Sequence, residues 1–177
     1  MIVTGGDYEH THGIGLSAPG GEIVYRPRAV PEFFDLVLGR GEFEASEFSL
    51  ANYMMYRAND DDWLTAVPVV PSRVFRHSHV AVRKDSDLHD FSQLAGRKLG
   101  LRDYSQTAAA WIRGLFKDEY GVDWRDINWV SLAGQRFSAP EGAKLTITDR
   151  DLEDLLIAGE IDALVDRRKK LAEENAA

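Results

Sequence analysis

The sequence contains no cysteine, which excludes disulfide bonds, thiolate metal sites and a cysteine nucleophile. No apolar run approaches the roughly 20 residues needed to span a bilayer, so no membrane segment is predicted. The first residues, Met1 to Thr4, lack the basic and apolar regions of a secretory signal, and a cytoplasmic location is therefore expected. Nucleotide-binding, nucleophile-elbow and kinase motifs are also missing, so the common motif-defined enzyme classes are not indicated.

Basic residues are outnumbered by acidic ones, 21 to 29, and the formal net charge is -8. This balance argues against nucleic acid or an anionic membrane surface as the main partner. A small anionic ligand stays open, because an acidic protein can still carry a local positive site. The content of 44% hydrophobic and 28% charged residues is ordinary for a globular protein, and 177 residues suffice for one large or two small domains.

Short β-rich runs alternate with amphipathic helical stretches, which predicts an α/β fold with mostly parallel sheets flanked by helices. Strands are predicted at 23–25, 98–101, 127–132, 145–148 and 161–165, with further β-rich runs at 63–70 and 74–82. Helices are predicted at 31–38, 85–96, 108–120 and 149–159, with another one beginning after Ser49. Asp85 or Ser86 is the expected cap of the second of these helices.

The turn Ser105–Gln106–Thr107 follows a predicted strand and opens a predicted helix, with Ser105 or Thr107 as the expected cap. A helix start presents unpaired N–H groups and a positive dipole end, which suit a carboxylate. Ligands of open α/β sheets bind beyond the carboxyl ends of the strands. The alternative is a plain helix cap, which the local sequence alone favours over a ligand site.

Basic and hydroxyl side chains cluster in one stretch that contains Arg73, Arg76, His77, Ser78 and His79. In an extended segment Arg73 and His77 point one way, and Arg76 and Ser78 point the other. The guanidinium group of arginine forms bidentate hydrogen bonds with a carboxylate, and histidine exchanges protons near neutral pH. The alternative is an ordinary strand with exposed basic residues, and the two interpretations are close to even.

Two further polar segments are candidate ligand sites. Tyr8, His10 and His12 lie in the first, where the choices are a ligand-facing loop, a solvated surface or a metal site. Two histidines at this spacing are weak evidence for a metal, so none is predicted. Ser46, Glu47 and Ser49 lie in the second, at the end of a short alternating run at 43–48. Their hydroxyls and carboxylate can hydrogen-bond a ligand, and the alternative is that Ser49 caps the helix that follows.

Three stretches, residues 47–53, 68–78 and 104–114, closely resemble the 4,5-dihydroxyphthalate decarboxylase family. Residues 118–122 and 158–164 follow in the family's order. The S-R-x-F-R-H-S stretch that begins at Ser72 and the T-A-A-x-W-x-R-G stretch that begins at Thr107 are the most specific. The resemblance extends from about Gly6 to Asp166, which is most of the chain.

The resemblance implies a two-lobed fold of the type 2 periplasmic-binding-protein kind, with a cleft lined by Arg73, Arg76, His77 and the turn at Ser105. The first lobe is expected at 1–83, the second at 84–166 and a tail at 167–177. Because family members are much longer, the chain is expected to be truncated at its C-terminus, with the first lobe incomplete.

The resemblance also implies decarboxylation of a dihydroxylated aromatic dicarboxylate similar to 4,5-dihydroxyphthalate in aromatic catabolism, without metal or cofactor. His77 is the first expected proton donor and His10 or His12 the next, so His77→Ala is expected to abolish turnover while leaving binding nearly intact. Substrate contacts are expected from Tyr8, Ser49, Arg73, Arg76, Ser78, Ser105, Gln106 and Thr107.

The alternative function is a substrate-binding protein of an ABC transporter for a small carboxylate, which would use the same positive groups. A catalytically inactive fragment or paralogue is a third reading. The sequence leaves a homo-oligomer open without predicting one.

Overall fold

A computed structural model of the chain describes residues 1–11, 13 and 21–165, with Pro31 in its backbone only. The chain divides into two compact units, Met1–Arg73 and Val74–Ala177. Each unit has its own sheet, and the predicted α/β class with mostly parallel strands is confirmed. His12 and the predicted tail at 167–177 lie outside the described residues.

The first unit contains a parallel sheet of three strands in the order β2-β1-β3. Its elements are β1 (Ile2–Gly5), β2 (Val24–Pro27), α1 (Val30–Leu38), β3 (Ala45–Ser46) and α2 (Leu50–Ala58). Phe33 and Val37 are fully buried on one face of α1, as their spacing predicts. Gly39 ends that helix, which confirms the predicted boundary.

The second unit contains five strands in the order β4-β8-β5-β6-β7. Its elements are β4 (Val80–Val82), β5 (Lys98–Leu101), α3 (Thr107–Tyr120), β6 (Asn128–Leu132), β7 (Lys144–Thr148), α4 (Leu152–Ile157) and β8 (Ala163–Val165). All neighbours are parallel except β4 and β8. In the described part of the chain, no helix is long and apolar enough to cross a bilayer.

The division between the compact units falls after Arg73, ten residues before the predicted lobe boundary at 83. The reason is β4, which pairs with β8 and so belongs to the sheet of the second unit. Whether the compact units correspond to the lobes of a periplasmic-binding-protein fold stays a prediction.

The β-rich runs predicted at 63–70 and 74–82 are wrong except for β4. Residues 63–76 have no strand partner in the described structure, and Val67 and Val69 are each 68% exposed. Valine favours strands because its side chain packs well on a pleated sheet, and here no neighbouring strand supplies that surface.

The helix predicted at 85–96 is also wrong, because only a short 3₁₀ helix forms at Phe91–Leu94. Asp90 caps it in place of Asp85 or Ser86, accepting a hydrogen bond from the Ser92 N–H at 2.9 Å. The Gln93 side chain accepts the Asp90 N–H at 3.0 Å and completes a capping box. These reciprocal bonds set the helix start four or five residues later than the predicted caps.

The core of the second unit lies between α3 and the sheet. Ile112 and Phe116 of α3 are fully buried, together with Leu99, Leu101 and Trp129 of β5 and β6. Gly121 ends α3 with a φ of 70°, a conformation that glycine adopts without steric cost.

Phe116→Ala is expected to lower the free energy of unfolding by about 3–5 kcal/mol, because it removes a fully buried ring and leaves a cavity. Trp111→Ala on the same helix is the control, since Trp111 is 61% exposed and its loss should cost less than about 1 kcal/mol. Urea unfolding of both variants measures the difference. Equal losses would contradict the assignment of this helix face to the core.

Candidate functional site

The carboxyl ends of β5 and β6 meet at one edge of the sheet in the second unit, because these neighbouring strands are parallel. From this edge β5 leads through residues 102–106 into α3, and β6 leads into the loop at 133–143. Open α/β sheets bind ligands at this kind of edge. The turn predicted from the sequence therefore lies where the fold class favours a site.

Asp103 organises that turn. One carboxylate oxygen accepts both the Ser105 N–H at 2.8 Å and the Ser105 hydroxyl at 2.7 Å. Ser105 is only 1% exposed. Its hydroxyl hydrogen therefore points to a protein carboxylate, and these bonds hold the turn; a direct contact between Ser105 and a substrate stays a prediction.

The predicted cap of α3 is wrong. The cap residue is Gln106, which makes no side-chain cap bond, and Thr107 is already the first helical residue. Ser105 cannot serve because its side chain is engaged by Asp103. The first turn of α3 nevertheless brings the positive end of the helix dipole to Gln106 and Thr107, so their proposed substrate contacts keep a physical basis.

Arg136 and Gln135 connect the loop after β6 to the same turn. A guanidinium nitrogen of Arg136 lies 3.3 Å from the second carboxylate oxygen of Asp103, and both side chains are largely buried. The Gln135 side chain accepts the Tyr104 N–H at 2.7 Å and donates to the buried Ser131 hydroxyl at 2.8 Å. The negative charge of Asp103, close to the start of α3, is therefore balanced by the positive charge of Arg136.

Arg113 lies in the 104–114 stretch that resembles the decarboxylase family, and it packs against the turn. Its guanidinium group sits 4.0 Å from the centre of the Tyr104 ring and donates to the Tyr104 carbonyl at 2.8 Å. Burial lowers the pKa of the Arg113 guanidinium and raises the pKa of the Tyr104 phenol. The guanidinium group is a very strong base, so Arg113 stays charged near neutral pH and supports the turn.

His77 lies at the opposite end of α3. Its Nε2 atom is 3.2 Å from a carboxylate oxygen of Glu119 in the last turn of the helix. Twelve residues at about 1.5 Å each separate Glu119 from Thr107, roughly 18 Å along the axis. The structure does not bring His77 to the Ser105–Thr107 turn, although the sequence hypothesis placed both in one site.

Other residues of the basic stretch are distributed differently. His79 directly precedes Val80, which pairs with Val165 at the carboxyl end of β8, so its backbone lies at the carboxyl edge of the sheet. An Arg76 guanidinium nitrogen is 3.4 Å from His79 Nδ1. Ser78 is exposed and donates to the Phe75 carbonyl at 3.5 Å.

Arg73 is exposed and is the last residue of the first unit. The substrate contacts expected from Arg73, Arg76 and Ser78 stay predictions.

A second polar cluster lies at the carboxyl edge of the sheet in the first unit. Glu47 directly follows β3 and accepts the Gly6 N–H at 3.0 Å and the Tyr8 hydroxyl at 3.1 Å. The Tyr25 hydroxyl donates to the Gly6 carbonyl at 2.7 Å. A Cβ atom on Gly6 would lie 2.3 Å from the Tyr8 ring, so only glycine admits this close approach.

His10 is held in this cluster by two contacts. Its ring stacks on the Tyr8 ring at a centroid distance of 5.3 Å and an interplanar angle of 9°. Its Nε2 atom lies 2.7 Å from the Pro71 carbonyl oxygen. Because a carbonyl only accepts, Nε2 carries a hydrogen in this contact, and Nδ1 is left as the nitrogen that exchanges a proton.

Ser49 is buried, and its side chain accepts the Asn52 N–H. The helix-cap alternative for Ser49 is therefore confirmed, while its contact with substrate stays a prediction. Sequence analysis did not single out Asp103 or Arg136. The available signal for Asp103 was a carboxylate two residues after a strand, which is common enough to be overlooked.

Metal ligands do not gather anywhere in the described residues: no group of three or more histidine, aspartate or glutamate side chains could hold an ion there. The polar groups at both sheet edges are instead hydrogen-bond donors, hydrogen-bond acceptors and paired charges. Such groups can orient a polar ligand and exchange protons with it.

The chain is thus an α/β protein with polar clusters at the carboxyl edges of its parallel strands. No family model matches it. Among curated proteins it is 33% identical over 159 residues to a 4,5-dihydroxyphthalate decarboxylase of Comamonas testosteroni, covering 84% of this chain and 48% of the relative. It is 27% identical over 147 residues to a 4,5-dihydroxyphthalate decarboxylase of Pseudomonas putida, covering 77% of this chain and 57% of the relative.

The chain is a homologue of the 4,5-dihydroxyphthalate decarboxylases, and the predicted family resemblance is confirmed. It spans about half the length of the curated relatives that it matches.

Proposed function

We propose that this chain takes part in the decarboxylation of 4,5-dihydroxyphthalate or a closely similar dihydroxylated aromatic dicarboxylate. The observation that carries the proposal is the match of most of the chain to two curated proteins named for that reaction. Neither is named as a transport receptor, so no observation favours the transporter alternative. The polar sheet edges supply the donors that a dianionic aromatic ligand requires.

We also propose the type 2 periplasmic-binding-protein kind of fold. Its support is that each compact unit carries parallel strands with polar groups at the carboxyl edge, the edge at which open α/β sheets bind ligands. Arg73, Arg76 and Ser78 are proposed to bind carboxylate or hydroxyl oxygens of the substrate. Gln106 and Thr107 are proposed to bind a carboxylate through the start of α3.

The reaction needs no redox partner. A phenolic hydroxyl para to the departing carboxylate donates electron density, and the ring carbon that bears this carboxylate accepts a proton. The bond between that carbon and the carboxylate then breaks, its electron pair restores aromaticity, and carbon dioxide leaves. The site must hold the second carboxylate, deliver one proton and stabilise charge on the phenolic oxygen.

We assign the proton donor to His10 in preference to His77. The Pro71 carbonyl and the Tyr8 ring fix the orientation of His10 and leave Nδ1 to carry the transferable proton. His77 instead contacts Glu119 at the end of α3 remote from the turn that would bind a carboxylate. Orientation of the donor within hydrogen-bond reach is the first requirement of general acid catalysis.

Incubation of the chain with 4,5-dihydroxyphthalate tests the proposal. We expect release of carbon dioxide with stoichiometric formation of 3,4-dihydroxybenzoate. Chromatography of the aromatic products measures this formation. Calorimetric titration of the chain with phthalate, which lacks the activating hydroxyls, serves as the binding control. Tight binding of both ligands without any product would support a receptor and contradict the decarboxylase.

A further inference from the structure

Glu47 links two neighbouring parts of the first unit. Its carboxylate accepts one hydrogen bond from the Gly6 N–H, directly after β1, and one from the Tyr8 hydroxyl. The side chain is half-buried, at the point where β3 passes into the cap of α2. One carboxylate thereby fixes both the backbone that leads into the His10 loop and the aromatic ring on which His10 stacks.

Hydrogen bonds within the His10 loop also stabilise its conformation. The Thr11 hydroxyl donates to the Tyr8 carbonyl at 2.7 Å and accepts the Tyr8 N–H at 3.1 Å. These contacts fix the backbone of Tyr8. The hydrogen bond from the Tyr8 hydroxyl to Glu47 holds the far end of the ring. The His10 imidazole stacks on the face of that ring.

We propose that Glu47 is a positioning residue that acts through Tyr8 on His10, holding its imidazole with Nε2 on the Pro71 carbonyl and Nδ1 toward the reacting ring. This inference rests on the proposed function, because it takes His10 as the proton donor. Glu47 touches neither His10 nor the reacting atoms in this role. A donor ring that turns away from the Pro71 carbonyl loses the fixed tautomer and the fixed direction of proton transfer.

Replacing Glu47 by glutamine or by alanine separates the hydrogen bonds of this side chain from its charge. In Glu47→Gln the amide oxygen can accept the Gly6 N–H while the amide nitrogen donates to the Tyr8 phenolic oxygen, so both contacts persist. Glu47→Ala removes both contacts, and Tyr8→Phe removes only the one to the ring. We expect kcat to fall by about tenfold or more in the alanine and phenylalanine variants, with little change in KM, and to stay within about threefold in the glutamine variant.

Glu44→Ala is the matched control. Glu44 also accepts a backbone N–H, from Ile2, but at the opposite edge of the same sheet. Its loss should leave kcat unchanged. If the Glu47 contacts were only structural, the two alanine variants would lower the melting temperature alike and affect turnover alike.

Nitrogen-15 NMR of the His10 ring gives a readout that does not depend on turnover. For the neutral ring that remains once Nδ1 has given up its proton, we expect the shifts of a single tautomer protonated at Nε2 in the unaltered chain and in Glu47→Gln. In Glu47→Ala we expect the averaged shifts of two tautomers. Unchanged shifts in Glu47→Ala, with kcat equal to that of Glu44→Ala, would overturn the inference. Absence of turnover in the unaltered chain would overturn the proposed function and the catalytic part of this inference, whereas the shifts would still decide whether Glu47 positions the ring.

Discussion

Replacing Arg136 by methionine is expected to weaken binding of phthalate by about tenfold or more. Asp103 lies at the start of the turn that leads into α3, and Arg136 balances its charge at 3.3 Å in a largely buried setting. Without Arg136, the Asp103 carboxylate would lose its ion-pair partner, and its repulsion of an incoming dianion would oppose the attraction of the helix start. Calorimetric titration at fixed ionic strength measures the loss.

The double variant Asp103→Asn with Arg136→Met is expected to recover most of the lost affinity, because it removes the repelling charge together with its partner. Arg125→Met is the control, since Arg125 pairs with Asp123 at 3.2 Å on an exposed part of the same unit and should have little effect. Lack of recovery in the double variant would show that Arg136 contacts the ligand itself. Unchanged binding in Arg136→Met would remove this cluster from the site.

Replacing His10 by alanine is expected to lower kcat by about 100-fold or more, the range typical of losing a general acid, while changing phthalate binding only slightly. His77→Ala is expected to lower kcat far less, because the contacts of His77 are with Glu119 and the Phe91 ring at the distal end of α3. Steady-state kinetics of both variants with 4,5-dihydroxyphthalate measures the contrast. The reverse order of effects would return the donor role to His77.

Strands and helices with strong periodicity could be predicted from the sequence. The strand at 98–101 has the predicted bounds, and the long helix ends at Gly121 as predicted, because apolar spacing and glycine at a helix end act locally. The run at 63–70 could not be judged in this way, since a valine-rich segment becomes a strand only when a neighbour pairs with it. Local composition carries no information about that neighbour.

Contacts among the candidate site residues could be predicted less well than the fold, for the same physical reason. Arginine, histidine and hydroxyl residues were selected because they cluster in sequence, yet the contacts of His77 lie at one end of α3 and the turn at Ser105 lies at the other. Asp103 and Arg136 are 33 positions apart and meet only because β5 and β6 are parallel neighbours. Gly6 and Glu47 meet across β1 and β3 in the same way.

The most direct test of the proposed chemistry is product analysis after reaction of 4,5-dihydroxyphthalate with the chain in deuterium oxide. Protonation of the ring carbon as carbon dioxide leaves predicts 3,4-dihydroxybenzoate with a single deuterium, located next to the carbon that bears the remaining carboxylate. Mass spectrometry and proton NMR of the product locate that atom. Recovery of unreacted dicarboxylate that binds to the chain, with no labelled monocarboxylate formed, would contradict the assignment as a decarboxylase.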